Sequence, residues 1–419
     1  MERGGISDRC FIFPNRRSQV FFTKYLGEAV KGSGTPIVAP KMMTINDFFF
    51  RISGDKPADR VSLLLDLYEC YKALNPKHET LDEFIFWGDV ILGGFDDVDK
   101  YLVDPAKLFA NIAEFKEIQD SYSYLTENQR KAIESFVSHF SSEGRLTVNL
   151  NSDNPNVKER FLQIWNILLP LYNDFRKRLS GKGLAYEGMV YRGLAARLDS
   201  ESAVDVLKAA FGDVNEYVFV GLNALNECEK KVMRRMRDAG LAEFCWDYSS
   251  GMIKDPLNKS SFFMSRNVMD FPQSFEMDSD GLRTPEIEVI SVPSSVGQAK
   301  LIPTVVKDDR CAVVLPDESL LIPVLNSIPE EIKDINVTMG YPMKSSAFFD
   351  FLTLVSAMQM HLRQKDGKWY FYHNQVWSLF SSNIFRKVTQ GDEAVKERIR
   401  KIKEGMKYYI PQEELSGIP

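Results

Sequence analysis

The chain has 419 residues, of which 44% are hydrophobic and 26% charged, and this composition argues against intrinsic disorder. Its length leaves room for about three units of roughly 150 residues each. The formal net charge of −6 argues against bulk affinity for nucleic acid, although a local basic strip could still bind it.

Residue types that mark special compartments or metal sites are sparse. The five cysteines are isolated and form no CxxC pair, which argues against disulfides and zinc and favours a reducing cytoplasm. The four histidines lie far apart without carboxylates at ligand spacing, so we expect no metal and no cofactor. No apolar run reaches the roughly 18 residues of a membrane span, and the polar start does not resemble a signal peptide. We therefore expect a cytoplasmic protein without membrane association.

The first predicted element pair is a strand followed by a helix. Cys10–Phe13 is an apolar run that a Pro-Asn pair stops, and the apolar residues of Arg16–Val30 then recur at helical spacing. On residue type alone, the loop residues Asn15, Arg16 and Arg17 are expected to be solvated.

A nucleotide-binding loop is not predicted. Such a loop carries a Lys after its second Gly, and it would precede the first strand. Only nine residues precede Cys10, and none is Lys. The glycine-rich segment Gly32–Thr35 follows the helix and also lacks that Lys, so we interpret it as a turn.

A second strand is predicted at Pro36–Pro40, and a helix begins within Met42–Phe50, where Thr44 or Asn46 can cap it. From residue 59 to about 143, and again from 157 to 179, helical spacing predicts an all-helical insertion. Within it, three carboxylates occur at Asp96, Asp97 and Asp99. They are either part of a metal site or, as we favour, caps of a helix N-terminus.

The chain then returns to the sheet. Residues 215–220 predict a buried strand, a helix follows over 229–239, and another strand follows at 243–247. Ligands of open α/β sheets bind beyond the carboxyl ends of such strands, where a nucleotide hydrolase carries an Asp-Glu pair for magnesium. Gly221 and Leu222 occupy those two positions, so we expect no nucleotide hydrolysis.

A second α/β domain is predicted downstream, with strands at 286–292 and 311–315 and a helix over Leu320–Ile328. Asp317, Glu331 and Lys333 have the spacing of a PD-(D/E)XK nuclease, in which strand-borne carboxylates hold magnesium and the Lys polarises water. The residues between them have a helical pattern, so this site is only an alternative. Further on, aromatic and basic residues alternate over Lys368–His373, and Asp392–Lys407 predicts a charged, solvated helix.

Taken together, these segments resemble the N-terminal part of the Bacteroidetes PD-(D/E)XK nuclease family. That part is an inactivated, UvrD-like superfamily 1 helicase region, similar to the B subunit of the bacterial helicase–nuclease. The segments that carry the resemblance are Phe11–Arg17, Thr44–Phe50, Phe95–Leu102, Tyr186–Arg192, Val218–Glu229 and Ala312–Tyr341.

The resemblance implies an α/β fold with two RecA-like domains. Residues 1–58 and 205–284 would form the first domain, residues 59–204 its all-helical insertion, and residues 285–419 a second domain that we expect to be truncated. Gly221 and Leu222 would be a degenerate Walker B motif. The family's nuclease domain would lie downstream of this segment, which would therefore have no catalytic residues of its own.

The function implied is an inactive helicase-like scaffold of DNA repair and recombination. Asn15, Arg16, Arg17, Thr44 and Phe48 would contact single-stranded DNA or DNA ends, with Thr44 and Phe48 matching a T-x-x-x-F spacing of the family. The partner would be a helicase subunit or the chain's own nuclease domain. Two alternatives stay open, namely a nuclease using Asp317, Glu331 and Lys333, and a protein-interaction scaffold that binds no DNA.

Overall fold

The computed structural model describes residues 5–110 and 155–419, apart from positions 35, 77, 79, 213, 249–252, 254, 256, 275–285, 307, 309–310, 417 and 419. The chain divides into two compact units, Met1–Thr284 and Pro285–Pro419. Each unit combines helices with a β-sheet, so the fold is mixed α/β.

The described elements of the first unit are, in chain order, β1 (Arg9–Phe13), α1 (Arg16–Ser33), β2 (Lys41–Thr44), α2 (Ile45–Ser53), β3 (Lys56–Pro57), α3 (Arg60–Leu74), α4 (Leu81–Lys100), α5 (Pro105–Ala110), α6 (Pro155–Gly181), β4 (Leu184–Ala185), α7 (Glu187–Ser200), α8 (Ala203–Phe211), β5 (Glu216–Val220), α9 (Glu227–Asp238), β6 (Ala242–Cys245) and α10 (Phe262–Asp270). The helices predicted from the periodicity over 16–30, 157–179 and 229–239 are confirmed. The helical segments expected between 111 and 154 lie outside the described residues.

A parallel sheet with the strand order β2-β1-β5-β6 organises the first unit. The inner strand β1 pairs with β2 through Phe11 and Met42, and with β5 through Phe11 and Val218. After β1 the chain adds β2 on one side along the strand order, and after β5 it adds β6 on the other. The strand order therefore reverses between β1 and β5, which is the point where open α/β sheets bind their ligands.

Alternation along the strands assigns helices to both faces of this sheet. Cys10 and Ile12 point into the main core, to which α2, α7, α8 and α9 also contribute. Phe11 and Phe13 point to the other face and form a small cluster with Val218, against which Phe22 of α1 packs. Helix α1 therefore contacts the sheet on the face opposite the main core.

The second strand begins later than the sequence predicts. We expected a strand at Pro36–Pro40, but β2 covers Lys41–Thr44 and pairs residue by residue with Cys10–Phe13. Proline has no N–H to donate to a strand ladder, and Pro40 lies immediately before the paired residues. The prediction was therefore wrong in position.

A second core forms from α3, α4, α5 and α6, and Asp99 lies where these helices meet α7. The Asp99 carboxylate is fully buried, accepts hydrogen bonds from the hydroxyls of Tyr172 and Tyr186 at 2.5 Å each, and forms ion pairs with Arg176 and Arg192. The expectation that Asp96, Asp97 and Asp99 cap a helix N-terminus is wrong, because α4 ends at Lys100 and places them in its last turns. A helix C-terminus disfavours negative charge, so the buried carboxylate depends on its cationic partners.

The described elements of the second unit are α11 (Ser295–Lys300), α12 (Ile302–Val305), α13 (Leu321–Leu325), α14 (Ala347–Met360), β7 (Arg363–Lys365), β8 (Lys368–Tyr372), α15 (His373–Ser381), α16 (Asn383–Val388), α17 (Glu393–Glu404), β9 (Tyr409–Pro411) and α18 (Gln412–Leu415). Strands β7, β8 and β9 form an antiparallel sheet in that order. The charged helix predicted near the end of the chain is confirmed as α17, which Asp392 caps.

The parallel strands predicted in the second unit are not formed. Residues 286–292 and 311–315 belong to no sheet, and Val289 and Val314 are 88% and 82% exposed. An apolar run becomes a strand only when a neighbouring strand takes up its backbone hydrogen bonds, and none does so among the described residues here. A RecA-like arrangement is therefore not confirmed.

Candidate functional site

The edge of the parallel sheet where β1 and β5 end is the candidate site. Ile12 lies opposite Phe219 in the ladder, so the loops after Phe13 and Val220 leave the sheet side by side. Asn15, Arg16 and Arg17 follow the first strand, and Gly221 follows the second. The sequence-predicted loop residues are thus brought to the point where the strand order reverses.

Asn15 starts α1. Its side-chain oxygen accepts hydrogen bonds from the backbone N–H of Ser18 at 3.0 Å and from the Ser18 hydroxyl at 3.2 Å. This contact satisfies one of the N–H groups that a helix leaves open at its start, while the positive end of the helix dipole still points toward the sheet edge. Asn15 therefore orients the helix start, which is a favourable place for an anion.

Arg16 and Arg17 are the cations of this edge. Both are exposed, and the first turn of α1 contains no acidic residue. Within the described part of the chain, neither guanidinium forms an ion pair with a carboxylate. Their charge is therefore available for phosphate groups, which guanidinium binds in a bidentate way.

Several apolar side chains on α1 point outward. Val20, Phe21 and Tyr25 are 67%, 47% and 61% exposed, whereas Phe22 makes the ring contacts to Phe11 and Phe13 at 4.7 and 5.2 Å between centroids. The 17, 21, 25 spacing of Arg17, Phe21 and Tyr25 places them on one face of the helix. We call these three residues the α1 stripe.

The other two predicted DNA contacts lie inside the protein. Thr44 is buried and caps α2, accepting a hydrogen bond from the N–H of Asp47 at 3.1 Å. The Phe48 ring is fully buried and stacks on Phe211 at 5.5 Å between centroids. A ring without exposed surface cannot stack on a base, so the structure removes Phe48 from the predicted DNA contacts and leaves Thr44 with a capping role.

The backbone after β5 is unsuited to a catalytic carboxylate pair. Gly221 has φ = +67°, a left-handed conformation that costs other residues about 1–2 kcal/mol. Leu222 is buried in the main core. A carboxylate would thus be strained at the first position and desolvated at the second. The site differs from a nucleotide hydrolase in local backbone shape as well as in residue type.

The helix that follows carries a buried carboxylate. Glu229 accepts a hydrogen bond from the backbone N–H of Asn226 at 2.9 Å, and the Asn226 side chain accepts one from the N–H of Glu229. Burial raises the pKa of Glu229 to about 7, although this hydrogen bond acts in the opposite direction. Its described contacts serve the start of α9.

The alternative nuclease residues do not share a sheet. Asp317 is exposed and accepts a hydrogen bond from the N–H of Ser319 at 3.0 Å, and hydrogen bonding by Ser319 lowers the pKa of Asp317. Glu331 and Lys333 are exposed and lie outside any helix or strand. The described residues contain no group of three or more His, Cys, Asp or Glu side chains that could hold a metal ion.

Comparison with known proteins identifies no family, because no family model matches the chain and no curated protein is significantly similar to it. All five cysteines are free thiols. Among the helices that the structure describes, none has both the length and the apolar character to cross a membrane.

Proposed function

We propose that the chain is a catalytically inactive, helicase-like scaffold that binds single-stranded DNA at the edge of its parallel sheet, within a machinery of DNA repair and recombination. The observation that supports the proposal is a single juxtaposition. Arg16 and Arg17 lie at the point where the strand order reverses, and both are exposed and without ion-pair partners among the described residues. The neighbouring loop carries Gly221 and Leu222 in place of acids.

Such an edge favours binding over hydrolysis. Two guanidinium groups and the start of α1 attract phosphate oxygens. Hydrolysis would need magnesium held by carboxylates, and Gly221 and Leu222 have none. We therefore assign the edge to a nucleic-acid backbone that is held and released unchanged.

The α1 stripe adds a stacking surface to this edge. A single strand exposes the faces of its bases, and aromatic side chains such as Phe21 and Tyr25 can stack on them whatever the sequence. Arg17 begins the same stripe at the phosphate-binding end. In this proposal Phe21 and Tyr25 replace Phe48 as the aromatic contacts.

The proposed architecture is RecA-like for the first unit only. Residues 1–58 and 205–284 would form that domain, and residues 59–204 its insertion, since the helical segment enters the chain between β2 and β5. The proposed partners are an active helicase subunit or a nuclease domain, which would supply the chemistry that this segment lacks.

The test measures the affinity of the full 419-residue chain for a labelled dT oligonucleotide by fluorescence anisotropy, as a function of salt. The double variant Arg16→Gln, Arg17→Gln should bind more weakly. Its plot of log affinity against log salt should lose about 1.4 units of slope, because each phosphate contact on a single strand contributes roughly 0.7. The double variant Lys31→Gln, Lys56→Gln removes the same charge from exposed positions away from the edge and should bind like the parent.

Equal weakening by both double variants would show that the edge has no special role. Absence of binding at low salt would contradict the DNA-binding proposal altogether. Magnesium-dependent ATP turnover by the purified chain would contradict its inactivity.

A further inference from the structure

The antiparallel sheet of the second unit has one covered face and one open face. Residues directly opposite each other in such a sheet point to the same side. Phe371 lies opposite Ile410 in the ladder, and Ile410 is fully buried with Val376 of α15 and Ile402 of α17. This face forms the small core of the second unit.

The other face carries tyrosines and cations. The register places Arg363 opposite Tyr370, Lys365 opposite Lys368, and Tyr372 opposite Tyr409. All six residues alternate with those of the covered face, so they share the opposite side of the sheet. The three cations are exposed and the three tyrosines half-buried. We call this side the open face.

The aromatic rings at one end of the open face form a continuous group. The ring of Tyr408, which is 62% exposed, lies 5.2 Å from Tyr372 and 5.4 Å from Tyr409 between centroids. The Arg363 guanidinium lies 4.4 Å from the centroid of the Tyr409 ring. These residues line a cleft of about 330 Å³ together with His361 and Leu362.

The charge of this region is opposite to that of the whole chain. Residues 361–419 contain eleven Lys and Arg against seven Asp and Glu, a net charge of +4, whereas the full chain carries −6. Near the open face, Glu413 pairs with Lys368 at 2.9 Å, Glu414 pairs with Lys407, and Asp366 lies in the turn between β7 and β8. Arg363 and Lys365 form no ion pair with the described carboxylates.

We propose that the open face is a second binding site for single-stranded nucleic acid, with Tyr372, Tyr408 and Tyr409 stacking on bases and Arg363 and Lys365 contacting phosphates. Partly exposed rings interleaved with cations on a sheet surface suit unpaired bases. In a duplex, the base faces stack on one another inside the helix, so the tyrosine rings cannot reach them. Protein interfaces are depleted of lysine, which makes a protein partner the weaker match. The inference stands on the second unit alone and does not require the edge of the parallel sheet.

The experiment uses the full chain with dT and rU oligonucleotides, so that DNA and RNA are tested separately. The double variant Arg363→Gln, Lys365→Gln should weaken binding of at least one of them and reduce the salt slope by about 1.4. The matched double variant Lys401→Gln, Lys403→Gln changes two exposed cations of α17 and should have a much smaller effect. Each pair is also placed in the Arg16→Gln, Arg17→Gln background, which removes the first proposed site.

A single-ring substitution tests the stacking. Tyr408→Leu should weaken binding about five- to tenfold, since one base stack is lost, and Tyr408→Phe, which keeps the ring, should restore it. Because Tyr408 is mostly exposed, thermal melting should be the same for both variants. Photocrosslinking with 5-iodouracil oligonucleotides should give adducts on peptides containing Tyr372, Tyr408 or Tyr409.

Two results would overturn this inference and leave the first proposal intact. One is an unchanged affinity of the Arg363→Gln, Lys365→Gln variant while the Arg16→Gln, Arg17→Gln variant loses binding. The other is crosslinking confined to α1. Conversely, binding that depends on the open face and not on Arg16 and Arg17 would support this inference and overturn the first proposal.

Discussion

The interior of the first unit and the surface of the second unit use the same kinds of side chain in opposite ways. In the first unit, the Phe48 ring and the Asp99 carboxylate have no exposed surface and are enclosed by partners. In the second unit, Tyr408 is mostly exposed, and the ion pair of Glu397 with Arg400 lies on the surface. Enclosure converts an aromatic ring or a charge into a stabilising contact, whereas exposure leaves it available to a ligand. Substitutions of these enclosed side chains should therefore change stability, and substitutions of these exposed side chains should change binding.

The largest effect should come from Asp99→Asn. The substitution leaves Arg176 and Arg192 without their buried carboxylate, and breaking a buried pair in this way costs about 3–5 kcal/mol. Urea unfolding followed by circular dichroism would measure it, and hydrogen exchange should show the loss of protection in the first unit. Glu397→Gln, which removes an exposed pair, should leave unfolding unchanged. Equal effects would break the comparison between the units.

Gly188→Ala should be the next most damaging. A Cβ at position 188 would lie 2.5 Å from the backbone oxygen of Asp96, so α7 would have to move away from α4, at a cost of about 1–3 kcal/mol. Gly193→Ala is the matched control, because a Cβ there meets nothing within 4 Å in the same helix. It should stabilise the protein by about 0.5–1 kcal/mol. If the two variants have the same melting temperature, that result would contradict the close packing of α7 against α4.

A pair of ring substitutions sharpens the comparison directly. Phe48→Leu should lower the free energy of unfolding by about 1–2 kcal/mol through the cavity that it leaves, and should leave the affinity for single strands unchanged. Tyr408→Leu should weaken the affinity for single strands and leave the free energy of unfolding unchanged. Anisotropy and denaturation should be measured on both variants, and each variant should change only one of the two. A loss of DNA affinity in a fully folded Phe48→Leu protein would show that Phe48 contributes to binding.

The smallest predicted effect concerns pH. Burial raises the pKa of Glu229 from 4.5 to about 7, so the folded state keeps the proton while the unfolded state loses it. This group therefore favours folding fully below about pH 4.5, and its contribution declines as the pH rises toward 7. Glu229→Gln cannot ionise, so its stability relative to the parent should increase between pH 5 and pH 6.5 by about 1–2 kcal/mol. A pH-independent difference in melting would contradict the burial of this carboxylate.

The sequence is informative where one local signal decides the structure. Unbroken apolar runs predict β1 and β5 correctly, and the sequence alone shows that Gly221 and Leu222, which are not acids, follow β5. Periodicity also identifies α1, but it cannot tell whether an apolar face is covered. For that reason the spacing does not reveal that Phe21 and Tyr25 are exposed, and Phe48, which was predicted to contact DNA, is buried.

Local sequence patterns do not predict contacts between residues that are distant in the chain, nor do they show whether a strand has a partner. The enclosure of Asp99 depends on Arg176, 77 residues further along the chain, and no local feature of α4 announces it. The apolar segments at 286–292 and 311–315 have strand-like composition but no ladder partner among the described residues. Strand propensity depends on the residues of the segment itself, whereas strand pairing depends on where the rest of the chain lies.

The central position of β1 has a consequence for how the chain folds. Cys10 pairs with Tyr217, so closing this contact brings together segments about 200 residues apart, with the corresponding loop entropy. During synthesis, the hydrogen-bonding edge of β1 that later receives β5 must wait until most of the first unit has emerged from the ribosome. Contacts of such high sequence separation form slowly, and an unpaired strand edge is prone to aggregate in the meantime. Production of this protein should therefore benefit from slow translation at low temperature or from chaperones that shield nascent strands.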